Sequence, residues 1–245
     1  MKAFRIACLS LFVWAGSARA GTLDPALAPG QNFDLSSYRL QTLDDRLQFK
    51  EVHPVGAYQD AYFFTDRVTG EMVFRVPSGA GHSTHSEFPR AELRENDSWT
   101  MSADAQQVHA ETVELRVLAE PATGKLIFAQ IHGEQPGGSE ALKMRWSHGT
   151  VLMGVKQHFG DDEVQIPLLR DLSLGDPVEC ALELRGNRLT VSVRSGTAAA
   201  SRTFDYAVDS WRDIPLYFKV GNYAQDKRAD GSAGSVSVRR VALVR

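Results

Sequence analysis

Cysteine is scarce in this sequence, which contains only Cys8 and Cys180. Cys8 falls in an N-terminal segment that we expect to be removed, and Cys180 then has no partner for an intramolecular disulfide. Cys180 lies in an apolar, strand-like stretch, residues 178–182. We therefore predict a buried, unreactive thiol rather than a nucleophile, in a fold that is held together by packing alone.

Long apolar runs are also missing, since none approaches the roughly 20 residues that a transmembrane helix needs. A short run from Leu9 to Trp14 follows two basic residues and precedes Ala18–Ala20, a small-residue pattern that a signal peptidase accepts. We predict that residues 1–20 are a signal peptide and that residues 21–245 form one exported domain. The domain is expected in the periplasm or outside the cell, as a monomer without a membrane anchor.

An excess of positive charge is absent as well. The chain has 27 Lys and Arg against 30 Asp and Glu, a formal net charge of −3. Removal of the leader takes away three cations, Lys2, Arg5 and Arg19, and leaves −6. Nucleic acids and anionic membranes favour dense clusters of Lys and Arg, so neither is expected as the main partner. A polyanionic polysaccharide would require a local basic patch.

Helical periodicity is nearly absent beyond residue 40, and short alternating runs take its place. Glycine-containing turns such as Thr69-Gly70 and Gly186-Asn187 separate these runs. The runs are 61–65, 71–76, 107–118, 125–132, 143–146, 151–157, 178–185, 188–194, 216–223 and 235–244. Many short strands with such turns predict an all-β, single-domain antiparallel β-sandwich, or β-jelly roll, with a substrate cleft on one sheet.

Two segments do not fit as strands. Residues 77–89 are rich in Gly, Ser and His, and residues 133–140 contain Pro136-Gly137-Gly138. Both are expected to be lids beside a cleft. His82 and His85 have the spacing of a metal pair, but no Cys or carboxylate completes a ligand set, and we predict no metal site.

Three of the predicted strands have polar faces that differ from an ordinary solvent face. Alternation separates each strand into two sets of side chains. The faces with polar groups hold Leu126, Phe128, Gln130 and His132 in the first strand, Tyr217, Lys219, Gly221, Tyr223 and Gln225 in the second, and Arg90, Glu92 and Arg94 in the third. The opposite faces hold Ile127, Ala129 and Ile131, then Leu216, Phe218 and Val220, then Ala91 and Leu93.

These polar faces suit a sugar acid. Arginine can bind a carboxylate through two hydrogen bonds, amides can bond hydroxyls, and aromatic rings can stack on a pyranose. Taken strand by strand, the residues leave plainer alternatives open. Arg90, Glu92 and Arg94 could form a cross-strand ion-pair ladder, and His132 could be a structural histidine. Tyr217 and Tyr223 could be ordinary rim aromatics.

Three blocks together resemble the signature blocks of polysaccharide lyase family 7, the β-jelly-roll alginate lyases. They are Arg90–Arg94, Gln130–His132 and Tyr217–Gln225, in that order along the chain. The resemblance spans essentially the whole exported domain. Two positions depart from the family pattern, because Ala91 stands where Ser or Thr is usual and Val220 where Ala is common.

The resemblance implies cleavage of 4-linked uronates by β-elimination, without a cofactor. It implies that Arg94 and Gln130 neutralise the substrate carboxylate, that His132 removes the C5 proton, and that Tyr223 protonates the leaving oxygen. The residues expected to bind neighbouring parts of alginate are Arg90, Glu92, Tyr217, Lys219, Asn222 and Gln225. Glu92 is expected to act by orienting an arginine. In the family, isoleucine at the position of Ile131 is associated with guluronate-containing substrates, so the resemblance implies a weak preference for such blocks.

Two other classes of function compete with this reading. A non-catalytic alginate-binding module could use the same sandwich and the same polar face, but it would need neither a base at His132 nor an acid at Tyr223. A jelly-roll glycoside hydrolase would need two carboxylates on either side of the scissile bond. Glu92 and Glu95 have opposite parity and are not expected to face one substrate together.

Overall fold

The computed structural model describes residues 22–135 and 138–245. The predicted signal peptide lies outside these residues. Within them the chain forms two four-residue helices, α1 (Pro29–Asn32) and α2 (Val208–Trp211), and fifteen strands. The strands are β1 (Tyr38–Leu43), β2 (Phe49–Val52), β3 (Phe63–Thr65), β4 (Met72–Pro77), β5 (Arg90–Glu95), β6 (Val108–Ala119), β7 (Lys125–Gly133), β8 (Leu142–Ser147), β9 (Thr150–Val155), β10 (Val164–Leu169), β11 (Pro177–Arg185), β12 (Arg188–Ser195), β13 (Ala198–Asp205), β14 (Leu216–Ala224) and β15 (Ala233–Val244). Neither described helix is long and apolar enough to cross a membrane.

The strands form two packed antiparallel sheets. One has eight strands in the order β10-β9-β8-β7-β14-β5-β1-β2, and the other has seven in the order β13-β12-β11-β6-β15-β4-β3. Hairpin neighbours such as β7 to β10 alternate with strands that are distant in sequence, as in β14 between β7 and β5, so the chain crosses repeatedly between the sheets. This arrangement confirms the predicted all-β sandwich.

Alternation explains how the seven-stranded sheet buries one face. In β11 the side chains of Val178, Cys180, Leu182 and Leu184 are buried, while the residues between them are at most half-buried. The buried set packs into the hydrophobic core between the sheets. Cys180 is a free, buried thiol, and burial raises its pKa, which confirms the prediction of an unreactive cysteine.

The centre of the eight-stranded sheet is buried on both faces. In β14 every residue except Tyr223 is buried, and β5 and β7 are nearly as enclosed. The inner face packs against the core, whereas the outer face is covered by its own polar side chains and by loops. Such a sheet face, buried yet polar, has to satisfy its charges internally.

A bulge interrupts the alternation of β7. Phe128 and its neighbour Ala129 both belong to the hydrophobic core, although strict alternation would place them on opposite faces. The pairing of β7 shifts register at this point with both β8 and β14. One extra residue reverses the parity that precedes it. The prediction that Leu126 and Phe128 share a face with Gln130 and His132 is therefore wrong.

Two buried carboxylates lie between the sheets, away from the cleft. Glu111 of β6 accepts a hydrogen bond from the Tyr38 hydroxyl at 3.0 Å, and its second oxygen has no partner among the described residues. Glu95 accepts from Trp99 Nε1 at 3.1 Å and from Arg245 Nε at 2.9 Å. Burial, with the nearby charge of Glu95, raises the pKa of Glu111 to about 8 against the opposing bond from Tyr38. Glu111 is therefore protonated in the folded protein at neutral pH.

The raised pKa of Glu111 predicts a loss of stability at alkaline pH. The stabilising protonation is fully present below pH 4.5, the ordinary value, and is lost as the pH rises through about 8. Glu111→Gln keeps an acceptor for Tyr38 but cannot ionise. The Tm of the variant minus that of the wild type should therefore increase by at least about 4 °C from pH 5 to pH 9, equivalent to roughly 1–2 kcal/mol at this size. Parallel thermal melts across that range test this, and a constant difference in Tm would contradict it.

Candidate active site

The fold brings the three sequence blocks together, because β14 lies between β7 and β5 in one sheet. Lys219 of β14 pairs with Gln130 on one side and with Arg94 on the other. Tyr217, two residues earlier, pairs with His132. Residues that pair directly point to the same face of a sheet, so these side chains share one surface.

A row of basic and amide side chains crosses this face at right angles to the strands. The row runs through five adjacent strands, from β1 to β8. In pairing order its members are Arg39, Arg94, Lys219, Gln130 and Lys143. A chain with a net negative charge thus lines up four cations on one face, of which Lys219, Arg94 and Lys143 are each paired with a carboxylate.

Glu92 lies at the centre of the floor of this surface and is completely buried. Its carboxylate binds Lys219 Nζ at 2.7 Å and Arg90 Nη1 at 3.1 Å, and it accepts from Gln130 Nε2 at 2.6 Å. Burial alone would raise its pKa, but the charges of Lys219 and Arg90 hold the pKa of Glu92 below its ordinary range. Glu92 is therefore an ionised anchor that orients three neighbours, as its expected role in orienting an arginine requires.

Lys219 is as deeply enclosed as its partner, with 1% of its surface exposed. Burial, together with the like charge of Arg90, lowers the pKa of Lys219 to about 7 in spite of Glu92. Lys219 also lines the cavity above the floor. It can therefore attract an anion from below, but the side chain has little freedom to follow a ligand.

His132 is held in one orientation by two contacts to Nδ1. The carbonyl oxygen of Gly133 lies 2.7 Å from Nδ1, and the Tyr217 hydroxyl lies 3.0 Å away. A carbonyl can only accept, so Nδ1 carries the proton and Nε2 keeps its lone pair in the neutral ring. Burial, with the positive charge of Lys219, lowers the pKa of His132 to about 4. The ring is neutral, and able to accept a proton, at mildly acidic and neutral pH.

Arg94 forms the wall of the site next to His132. Its guanidinium stacks on the Tyr217 ring at 4.1 Å, and the Tyr217 and His132 rings stack in turn with centroids 5.4 Å apart. Arg94 Nη2 binds Glu134 Oε1 at 2.5 Å. Burial raises the pKa of Tyr217 to about 12 against the effect of Arg94. The stack places a fixed positive charge beside a neutral base.

Tyr223 lies to one side of the stack of Arg94, Tyr217 and His132, at the position of β14 that pairs with Arg90. The Arg90 guanidinium lies 4.0 Å from the centre of its ring, and the Phe88 ring meets it edge-on at 6.1 Å. Burial raises the pKa of Tyr223, so the phenol is protonated at neutral pH and can donate. Arg90 lines the cavity above this surface, whereas Tyr223 is not among the residues that line it.

A cavity of about 270 Å³ opens above these residues. Four members of the three sequence blocks line it together with His132, namely Arg90, Arg94, Tyr217 and Lys219. The two segments expected to be lids also line it, the first through Ser83 and His85 and the second through Glu134, Gln135, Gly138 and Glu140. Both segments therefore border the cleft, as predicted.

Three lining residues were missed by the sequence analysis. Gln41, Phe49 and Glu51 come from β1 and β2 and close the cavity on the side away from His132. Gln41 Nε2 donates to Glu51 Oε1 at 2.7 Å. Alternation in β1 could have placed Gln41 on the face of Arg39, but nothing in the sequence shows that β1 adjoins β5.

Three predicted substrate-binding residues do not reach this cavity, and the first is Glu92, which is completely buried in the floor beneath it. Asn222 is completely buried, and its Nδ2 donates to the Phe74 carbonyl of β4 at 3.3 Å, in the opposite sheet. Asn222 is thus a bridge between the sheets, and the expectation of substrate contact is corrected. Gln225 lines a separate cavity of about 220 Å³ on the same sheet, with Lys125, Arg145 and Gln165 among its neighbours.

The pair of carboxylates that a hydrolase would need is not formed by Glu92 and Glu95. Glu92 faces the cleft floor, whereas Glu95 points into the core and accepts from the Phe218 backbone at 2.9 Å. Opposite parity accounts for this, as predicted. The His82 ring nitrogen Nδ1 lies 3.0 Å from the Ser83 carbonyl oxygen, and the described residues hold no cluster of three or more potential metal ligands.

Comparison with known families agrees with this geometry. A sequence model of the family described as alginate lyase matches residues 33–244, which is most of the chain. The chain belongs to the alginate lyase family. It is accordingly a polysaccharide lyase, with alginate as the polymer that the family degrades. A search of curated protein sequences finds no match.

Solved structures extend the comparison. Alginate lyase A1-II', described as a member of polysaccharide lyase family 7, is 28% identical, with a TM-score of 0.78 over 89% of this chain and 98% of its own. A variant of A1-II' in complex with a GGMG substrate is 27% identical, with a TM-score of 0.79 over 90% and 97%. The alginate lyase from Klebsiella pneumoniae is 21% identical, with a TM-score of 0.77 over 89% and 98%, and shares the fold.

Proposed function

We propose that this lyase cleaves the 4-linked uronates of alginate by β-elimination, with His132 as the base. The observation that carries the proposal is the pairing of a neutral imidazole, whose Nε2 lone pair is free of the Gly133 contact, with the fixed guanidinium of Arg94 in one cavity. A base beside a fixed cation is what removal of a proton next to a carboxylate requires.

The first chemical step is removal of the C5 proton, which is very weakly acidic because it lies next to a carboxylate. As His132 Nε2 takes the proton, negative charge grows on the substrate carboxyl oxygens. Arg94 and Gln130 are the groups that neutralise it. Gln130 lies in the floor with 1% of its surface exposed, and its Nε2 uses one of two hydrogens for Glu92, so the second is the one that would serve a uronate bound directly above. Donors fixed in advance lower such a barrier by several kcal/mol.

The second step breaks the C4–O4 bond. The electron pair left at C5 forms the C4=C5 double bond, and O4 leaves with the electron pair of the C4–O4 bond and stays attached to the anomeric carbon of the neighbouring sugar. A proton from the Tyr223 hydroxyl completes the leaving alcohol. Tyr223 is supported in this role by its raised pKa and by its fixed place against Arg90. The products are an unsaturated uronate at one new end and an ordinary sugar hydroxyl at the other.

Guluronate-containing blocks are the proposed preference. The related A1-II' variants crystallised with GGMG substrate and GGG product support it at 27% identity. Ile131 lies in the core with none of its surface exposed, so any effect on the preference acts through the position of Gln130 and His132. We also propose export by residues 1–20 and action as a monomer, which the mass of the mature protein and its elution in gel filtration would test.

Ultraviolet absorbance of the conjugated double bond tests the reaction directly. Purified protein should raise this absorbance on guluronate-rich and mixed alginate faster than on polymannuronate. Reducing ends that appear without any rise in absorbance would point to hydrolysis and would overturn the elimination. A faster rate on polymannuronate would leave the elimination in place and reverse the proposed preference.

The pH profile of kcat/KM should carry the signature of His132. The base works only when neutral, and its pKa of about 4 means that activity falls only as the pH drops through that region. An ordinary histidine would lose activity near pH 6.5. Glu140→Gln removes a negative charge that raises the pKa of His132, so its acid limb should move to lower pH. An acid limb near 6.5 that Glu140→Gln leaves in place would contradict the assignment.

A further inference from the structure

The loop after β7 places a carboxylate on the guanidinium that the proposed mechanism needs for the substrate. Glu134 Oε1 lies 2.5 Å from Arg94 Nη2. The side chain of Arg94 is 14% exposed and that of Glu134 is 42% exposed. The cation is therefore fixed in the wall of the cleft, and the anion reaches it from the solvent side.

Much of the Arg94 guanidinium is already covered by the protein and cannot bind a ligand. One face of the guanidinium is covered by the Tyr217 ring at 4.1 Å. Its Nε is buried and has no hydrogen-bond partner among the described residues. Arg94 lines the cavity, and Glu134, which binds its Nη2, lines the same cavity. A uronate carboxylate and the Glu134 carboxylate, which have the same charge and shape, compete for this nitrogen.

We propose that Glu134 is a built-in competitor of the substrate carboxylate, which alginate must displace from Arg94 before it is cleaved. The inference rests on the proposed role of Arg94 in neutralising a uronate. Only a ligand with its own carboxylate at this position can replace the lost ion pair. Glu134 therefore lowers the affinity for every substrate, and it disfavours esterified or neutral sugars most.

The loop is built so that the Glu134 side chain can leave while its backbone stays. The Glu134 amide donates to the Pro215 carbonyl at 2.9 Å, and the Gly133 amide donates to the Ser139 carbonyl at 2.9 Å. Ser139 Oγ also donates to the Gly133 carbonyl at 2.9 Å. These bonds hold the loop beside His132, whereas the half-exposed carboxylate needs only rotations of its own side chain to move away.

A structural role for Glu134 makes the opposite prediction. If Glu134 positioned Arg94 for catalysis, its loss would let the guanidinium move, and the enzyme would bind and cleave alginate less well. If it competes with the substrate, its loss frees the guanidinium and binding improves. Glu134→Gln distinguishes the two, because it keeps the size and the backbone contacts and removes only the charge.

The test compares Glu134→Gln with Glu183→Gln. Glu183 is a partly exposed acid of β11, in the other sheet, and its carboxylate pairs with Arg185 at 2.7 Å, so it controls for the general gain of positive charge. We expect KM for alginate to fall about threefold to fivefold in Glu134→Gln, which is what a partly exposed ion pair supports. KM should change by less than about twofold in Glu183→Gln. An unchanged or raised KM in Glu134→Gln would overturn the inference.

A binding cycle separates this inference from the proposed function. In an inactive His132→Ala background, Glu134→Gln should tighten binding of alginate oligomers, measured by calorimetry. The gain should vanish once Arg94→Ala is added, because the competition is for Arg94. A gain that persists without Arg94 would overturn the inference. Absence of unsaturated product from the wild-type enzyme would instead count against the proposed function.

Discussion

Replacement of His132 by alanine is expected to lower kcat on alginate about 10³-fold, within the usual contribution of a general base. The Gly133 carbonyl fixes the proton on Nδ1, so Nε2 is the atom that accepts from C5. Alanine removes that atom and leaves Arg94 stacked on Tyr217. Because the guanidinium stays in place, KM should change by no more than a few fold, and the loss should fall on the chemical step.

Single-turnover rates of unsaturated product, measured beside KM, check this result. His158→Ala is the matched control, because His158 is exposed, contacts Asp161 at 3.0 Å and lies outside the cleft. It should retain wild-type rates. If His132→Ala keeps more than about a tenth of the activity, another group removes the proton. His85, which also lines the cavity, would then be the next residue to replace.

Much of the site follows from alternation in a single strand. The pattern of β14 predicted that Tyr217, Lys219 and Tyr223 face away from Phe218 and Val220, and the structure places them so. Alternation works here because Leu216, Phe218 and Val220 all pack into the core from one face of the strand. The resemblance to family 7 supplied what alternation could not, which is that β5, β7 and β14 belong to one surface.

The sequence predicts less where neighbouring strands decide the outcome. The bulge in β7 places Phe128 and Ala129 together in the core, and it depends on register shifts against both adjacent strands. Asn222 shows a different limit. Asn222 lies two residues after Val220, so alternation places both side chains on the core face. It was nevertheless expected to bind the substrate, because it falls inside the Tyr217–Gln225 block that resembles the family signature. The local pattern was the better guide at that position.

The partners of the charged groups were also beyond the sequence. The sequence placed one arginine on each side of Glu92, but in the structure Glu92 forms ion pairs with Arg90 and Lys219. Arg94 is bound instead by Glu134, from a loop forty residues further along the chain. Ion pairs of this kind depend on how a loop returns to the sheet, and no periodicity in the sequence encodes that path.

The buried cluster around Glu92 predicts the largest effect on stability. Glu92→Gln is expected to reduce the free energy of unfolding by about 3 kcal/mol, since loss of one partner leaves buried charges uncompensated. Lys219 Nζ, 2.7 Å from the carboxylate, loses its counterion, and so does Arg90 at 3.1 Å. Tm should fall by roughly 6–12 °C at this chain length. Urea or thermal unfolding of the purified variant measures the change.

Two comparisons show whether the uncompensated charge is the cause. Glu179→Gln removes a partner of Arg194 on the exposed side of β11, and it should cost less than about 1 kcal/mol. Lys219→Met added to Glu92→Gln removes a stranded cation and should restore part of the lost stability. If the double variant is as unstable as the sum of the single ones, the cost comes from lost packing and the charge argument fails.

The stability difference between the wild type and Glu92→Gln should depend on pH, because the fold lowers the pKa of Glu92. Its folded pKa is below the ordinary value of 4.5, so the stabilisation by the carboxylate is fully present above pH 4.5 and is lost as the pH falls through the folded pKa. The gap between wild type and Glu92→Gln should therefore be full at neutral pH and shrink in acid. The same carboxylate orients Gln130 at 2.6 Å, so activity should fall with stability even where the variant remains folded. A folded Glu92→Gln enzyme with wild-type kcat would show that the cluster stabilises the sheet without positioning Gln130 for the reaction.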